Sequence, residues 1–67
     1  MITIHLNNRS LDVDAHLNVL QLLHQIKSPT TGIAVAINAE IISHSKWETA
    51  TFKPNDTVLI IQATQGG

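Results

Sequence analysis

Apolar residues recur along this chain with two different spacings, and the switches between them mark out its elements. Ile2, Ile4 and Leu6 alternate with Thr3, His5 and Asn7, the period of two expected of a strand with one buried face. The alternation resumes with Leu11 and Val13 set against Asp12 and Asp14. Between the two runs, Asn7 and Asn8 tolerate the positive φ of a tight turn, so the chain is predicted to open with a β-hairpin.

The spacing then lengthens. Val19, Leu22, Leu23 and Ile26 fall at i, i+3, i+4 and i+7 and give one apolar stripe on a short helix. Asn18 is placed to cap its N-terminus, with Gln21 at the capping-box position and Leu17 and Leu22 at the staple positions. Ser28-Pro29 is predicted to end the helix, because a residue preceding proline disfavours the α region. The stripe is read as packing against a sheet.

Ile33 to Ile37 is a continuous apolar run, expected of a strand buried on both faces or nearly so. Asn38-Ala39 turns it back into a short strand over residues 40–43. Ser45, Lys46, Trp47 and Glu48 then lack a period, and an irregular connection or one helical turn is expected there. Lys53-Pro54-Asn55-Asp56 makes a turn in which proline presets φ and asparagine or aspartate bonds back to the backbone. Thr57 to Gln62 is the last predicted strand, with Val58 and Ile60 on one face and Leu59 and Ile61 on the other. The whole order predicts an α+β domain over residues 1–62, a mixed sheet with one main helix on one face, followed by a flexible tail over residues 63–67.

Composition narrows what such a domain does. At 67 residues the chain is one domain, too small to enclose an ordinary catalytic cleft without losing its own core. With 43% apolar and 13% charged residues it is expected to be globular. It contains no cysteine, which excludes a disulfide framework and a thiolate metal site and suits a reducing compartment. Met1 leads straight into the first alternating strand, without a basic and apolar leader, and a cytoplasmic setting is expected. Arg9, Lys27, Lys46 and Lys53 are scattered and the formal net charge is −1, so no basic surface for nucleic acid is expected.

The candidate chemistry then lies at the end of the sequence, in Gln62-Ala63-Thr64-Gln65-Gly66-Gly67. Gly66 and Gly67 lack a Cβ, so their backbone fits a channel too narrow for side chains. Extended, Ala63 to Gly67 reach roughly 16 Å at about 3.3 Å per residue, far enough to carry a carboxylate into a partner's buried site.

Val35-Ala36-Ile37-Asn38, Glu40-Ile41-Ile42, Trp47, Asn55-Asp56 and Gln65-Gly66-Gly67 together make the chain resemble the bacterial sulfur carriers of thiamine biosynthesis, the ThiS family, over essentially its whole length. Asn7-Asn8 and Ser43-His44 depart from the family pattern, as does Asn55 where the family has a glycine before the aspartate, all in turns or one loop. The resemblance implies a ubiquitin-like β-grasp fold and a protein co-substrate rather than an enzyme. It implies that the Gly67 carboxylate is adenylated by an E1-like (ThiF-type) enzyme and converted to a thiocarboxylate, with Gly66, Gln65 and Thr64 as the tail that enters the partner. A persulfide protein would supply the sulfur and thiazole synthase (ThiG-type) would receive it. No cofactor is expected on the chain itself, the ATP being used by the adenylating partner. By alignment with ubiquitin-like proteins, Val58 and Ile60 face inward and Leu59 and Ile61 form an apolar docking patch beside the tail; burial of both pairs in a central strand is the alternative.

Other roles remain to be weighed. The small subunit of molybdopterin synthase also ends in Gly-Gly, a ubiquitin-like modifier would link Gly67 to lysines of targets, and an interaction module would leave the tail inert. His5, His16, His24 and His44 lack the spacing of a metal site and are read as surface histidines. Asp12 and Asp14 are read as solvated charges on one face of the second strand. Trp47 is read as a plug at the edge of the core rather than a partner anchor.

Overall fold

A computed structural model describes residues 1–62. The strands are β1 (Ile2–Leu6), β2 (Arg9–Val13), β3 (Ile33–Ile37), β4 (Glu40–Ile42) and β5 (Thr57–Gln62), with one helix, α1 (Val19–Gln25), and a 3-10 turn over His44–Lys46. They form one five-stranded sheet in the order β2-β1-β5-β3-β4. β1 runs parallel to β5, and the β1–β2, β3–β4 and β3–β5 pairs are antiparallel. This is the β-grasp arrangement expected from the element order.

The opening hairpin closes through Asn7 and Asn8 at φ 46° and 69°, the two positive values that a two-residue type I′ turn requires. Asn38 and Ala39 repeat the device between β3 and β4, at φ 51° and 70°. The Asn18 side chain accepts from the Gln21 backbone N–H at 2.7 Å, and the Gln21 side chain accepts from the Asn18 N–H at 3.0 Å, completing the capping box.

At one boundary the closing residue differs from the sequence-based expectation, and at another the position does. The helix ends before Ser28-Pro29, at Ile26, because Lys27 takes φ 58° and closes a Schellman motif. The Ser28 N–H reaches the Leu23 carbonyl at 2.8 Å and the Lys27 N–H reaches that of His24 at 3.2 Å. Asp14 lies past the end of β2. Its carboxylate accepts from the His16 N–H at 2.7 Å and its carbonyl from the Leu17 N–H at 3.0 Å, so it builds the turn into the helix instead of sharing a strand face with Asp12.

The core lies between α1 and one face of the sheet. Val19, Leu22 and Leu23 of the helix pack with Ile4, Val13, Val35 and Val58 of the strands. Phe52 and Trp47, the latter 2% exposed, close the cluster from the connection that follows β4. Trp47 is the core plug that its size suggests, with Nε1 donating to the Ile42 carbonyl at 3.1 Å. The same connection satisfies the start of the helix, since the Val19 and Leu20 N–H groups donate to the Ala50 and Trp47 carbonyls at 3.0 and 3.1 Å. Among the described residues, no helix is long and apolar enough to cross a membrane.

Candidate functional site

β5 is the element that leads to the tail, and the fold holds it in the middle of the sheet with β1 on one side and β3 on the other. Its alternation sorts side chains as the sequence predicts. Val58 is fully buried and Ile60 packs partly against the core, whereas Leu59 and Ile61 are 46% and 45% exposed on the face away from the helix. Thr64, Gln65, Gly66 and Gly67 lie outside the described residues.

Strand register extends the apolar face beyond β5. Ala36 of β3 stands opposite Leu59 on one side and Ile41 of β4 on the other, and Ala34 stands opposite Ile61. Ile41 is 62% exposed, while Ala36 is only 5% exposed. Ile41 on one side and Leu59 and Ile61 on the other therefore rise from the sheet as two ridges over a floor of alanine. Large apolar surfaces left exposed on a small domain mark places where partners dock. Toward β1 and β2 the same face turns polar through His5, Thr57, Thr3 and Asp12, with the Thr3 hydroxyl donating to Asp12 at 2.6 Å.

The sequence carried a signal for this wider patch. Within the apolar run of β3, the large residues Ile33, Val35 and Ile37 alternate with the small Ala34 and Ala36, so size marks two faces where hydrophobicity alone does not. Ile41 is recognisable as a member only once the β3–β4 register is known.

A second group anchors the start of β5. Asp56, only 8% exposed, accepts from the Asn38 side-chain amide at 2.9 Å and from the Lys53 backbone N–H at 2.8 Å. Asn38 also accepts from the Thr57 N–H at 2.9 Å through its own Oδ1. The Asp56 carbonyl in turn accepts from the His5 N–H at 2.8 Å. These bonds tie the β3–β4 turn, the turn at Pro54-Asn55 and β1 to one point, and their role is structural.

The remaining polar candidates stay apart. His5, His16, His24 and His44 are all exposed, on β1, in the turn before α1, in the last turn of α1 and in the 3-10 turn, where the His44 ring lies 4.2 Å from that of Trp47. Among the described residues, no three histidine or acidic side chains gather to hold a metal ion. In an open hollow lined by Asp14, His16, Leu17 and Gln21, the Asp14 carboxylate and the Gln21 side-chain oxygen are engaged locally, in the preceding turn and the helix cap.

The sulfur carrier protein ThiS of Escherichia coli (strain K12) is 30% identical over 61 residues, which is 91% of this chain and 92% of that protein. The crystal structure of the thiamine biosynthesis protein ThiS from Geobacter metallireducens superposes with a TM-score of 0.83 at 28% identity, covering 98% of this chain and all of that one, 100%. The solution structure of a thiamine biosynthesis protein from the same organism gives 0.72 at 26% identity, over 98% of this chain and 87% of that one. The ThiS family profile matches residues 4–67, from the first buried strand through both closing glycines, and the chain accordingly belongs to the ThiS family.

Proposed function

We infer that this chain is a sulfur carrier for thiamine biosynthesis, a protein co-substrate on which other enzymes act. The observation that carries the reading is the family match, which covers residues 4–67 and so includes Gln65-Gly66-Gly67. The apolar ridges on the open face support it, since they offer a partner a docking surface on the strand that leads to the tail.

The chemistry follows from what a carboxylate lacks. Its negative charge repels nucleophiles and its oxygen is a poor leaving group. An adenylating partner therefore joins the Gly67 carboxylate to the α-phosphate of ATP and releases pyrophosphate, leaving an acyl-adenylate whose AMP departs readily. The outer sulfur of a persulfide protein attacks the carbonyl carbon and AMP leaves. A thiol then reduces the acyl disulfide, so that the donor sulfur remains on the tail as a thiocarboxylate and the two thiols leave as a disulfide. The thiocarboxylate is ionised at neutral pH and nucleophilic at sulfur, for the reason that a thiolate is more reactive than a thiol. With no cysteine among its 67 residues, the chain has no thiol side chain to carry sulfur in its place. Thiazole synthase is the acceptor in this reading.

Intact mass spectrometry tests it. After incubation with ATP, a sulfur donor and the cognate adenylating enzyme, the chain is expected to gain the difference between one sulfur and one oxygen, and a variant lacking Gly67 is expected to gain nothing. An unchanged mass with active partners would remove the reading, and an isopeptide adduct resistant to thiol would replace it with protein modification.

A further inference from the structure

β1 stops pairing before β5 does, and one side chain fills the difference. In the parallel β1–β5 ladder the His5 N–H donates to the Asp56 carbonyl at 2.8 Å and the Asn7 N–H to the Val58 carbonyl at 3.0 Å. The next rung would run from residue 9 to Ile60, but the chain has turned away at Asn7-Asn8, and Arg9 already pairs back with Leu6. The Asn7 carboxamide takes that place. Its Oδ1 accepts from the Ile60 N–H at 2.9 Å and its Nδ2 donates to the Ile60 carbonyl at 3.5 Å, across 53 positions of sequence. An amide side chain presents one acceptor and one donor in the same order as a peptide group, so it serves as a further residue of β1.

We propose that Asn7 is a positioning residue for the tail: it holds β5 in the sheet on its β1 side as far as Ile60 and so fixes the strand end that residues 63–67 follow. Without it, Ile60 to Gln62 are held from β3 alone, through the pairs Ala34 with Ile61 and Ile33 with Gln62. A strand end bound on one side opens more often than one bound on both. A partner that must place a terminal carboxylate against a nucleotide then meets a less ordered starting geometry, and the cost falls on productive binding. This consequence for the reaction rests on the sulfur-carrier reading, whereas the bonds to Ile60 do not.

Asn7→Gly is the decisive variant, since glycine accepts the positive φ of the turn but offers neither bond. Asn7→Asp retains the acceptor for the Ile60 N–H, and Asn8→Gly alters the same turn without touching the ladder. Amide exchange at Ile60, followed by NMR on the full chain, is expected to quicken roughly 5- to 10-fold in Asn7→Gly, the effect of one ordinary hydrogen bond, and to stay near wild type in the other two. The kcat/KM for ATP-dependent modification by the cognate adenylating enzyme is expected to fall about as far in Asn7→Gly and to recover in Asn7→Asp, with all three variants fully folded at the assay temperature by circular dichroism. Unchanged exchange at Ile60, or faster exchange with unchanged kcat/KM, overturns the proposal. If wild-type chain is not modified at all, the sulfur-carrier reading fails, and the exchange at Ile60 alone then decides whether Asn7 holds the strand.

Discussion

Asn38 donates from its side-chain amide to the nearly buried carboxylate of Asp56 at 2.9 Å, and each of the two side chains has a second backbone partner. The pair is directional. Both Asp56 oxygens face N–H donors, so an amide at position 56 must set its own NH2 against one of them. Asp56→Asn is expected to lower stability by about 1–3 kcal/mol through an unsatisfied, partly buried donor. Asn38→Asp is expected to do the same by opposing two carboxylates. The double swap Asn38→Asp with Asp56→Asn restores a donor to every acceptor and is expected to recover much of the loss. Urea unfolding of the three variants checks it, and additive losses in the double variant would show that the two residues act independently.

Lys27 occupies the left-handed position that closes α1, at φ 58°. Lysine pays a steric penalty there that glycine does not, while glycine gains unfolded-state entropy that works against it. The first effect is the larger, and Lys27→Gly is expected to raise stability by about 0.5–1 kcal/mol. A fall in Tm on thermal unfolding would contradict it.

Trp47→Phe keeps an aromatic ring in the core but removes the donor to the Ile42 carbonyl. The expected cost is about 1–3 kcal/mol, measured by denaturant unfolding. Trp47 is the single tryptophan of the chain, so its fluorescence in wild type reports the same transition, with a red shift as the buried indole reaches water. A blue shift on unfolding would place the indole in water in the folded chain.

Leu59→Ser and Ile61→Ser test the proposed docking surface. Both side chains are half exposed, and the substitutions are expected to change folding stability little, within about 1 kcal/mol. On the proposed function, modification by the adenylating enzyme is expected to lose roughly tenfold or more in kcat/KM, mainly through KM, as for hot-spot residues of an interface. Ile41→Ser, on the opposite ridge, is expected to act in the same direction. Unchanged kinetics in all three would move the docking surface elsewhere.

Legibility from sequence followed the range of the interactions. The hairpin, the helix start and the two-faced alternation of β5 rest on neighbours a few positions apart, and Asn7-Asn8, Asn18 with Gln21, and Val58 to Ile61 announced them. The helix stops before Ser28-Pro29 as the proline suggests, but what closes it at Ile26 is Lys27 in the left-handed position, where the usual sequence signal, a glycine, is missing. The spacing of Asp14 from Asp12 matches the strand alternation, whereas its bonds to the His16 and Leu17 N–H groups place it in the turn before the helix. The roles of Asn7, Asn38 and Asp56, and the membership of Ile41 in the patch, depend on register between segments far apart in sequence, which no local pattern encodes. The tail residues Thr64 to Gly67 stand out by their chemistry, and the role proposed for them rests on the family match.

The strand that comes last in sequence among those described is the one in the middle of the sheet. As the chain leaves the ribosome, β1–β2 and β3–β4 can each close as local hairpins, yet they share no edge until β5 inserts between them. The Leu6–Val58 pairing spans most of the chain, so its loop-closure cost is met only at the final step. Leu59 and Ile61 join Ile41 over the alanine floor at that same step. On the proposed function, a partner that recognises the assembled surface is thereby also inspecting the fold, and an incompletely folded chain is passed over before any ATP is spent on its tail.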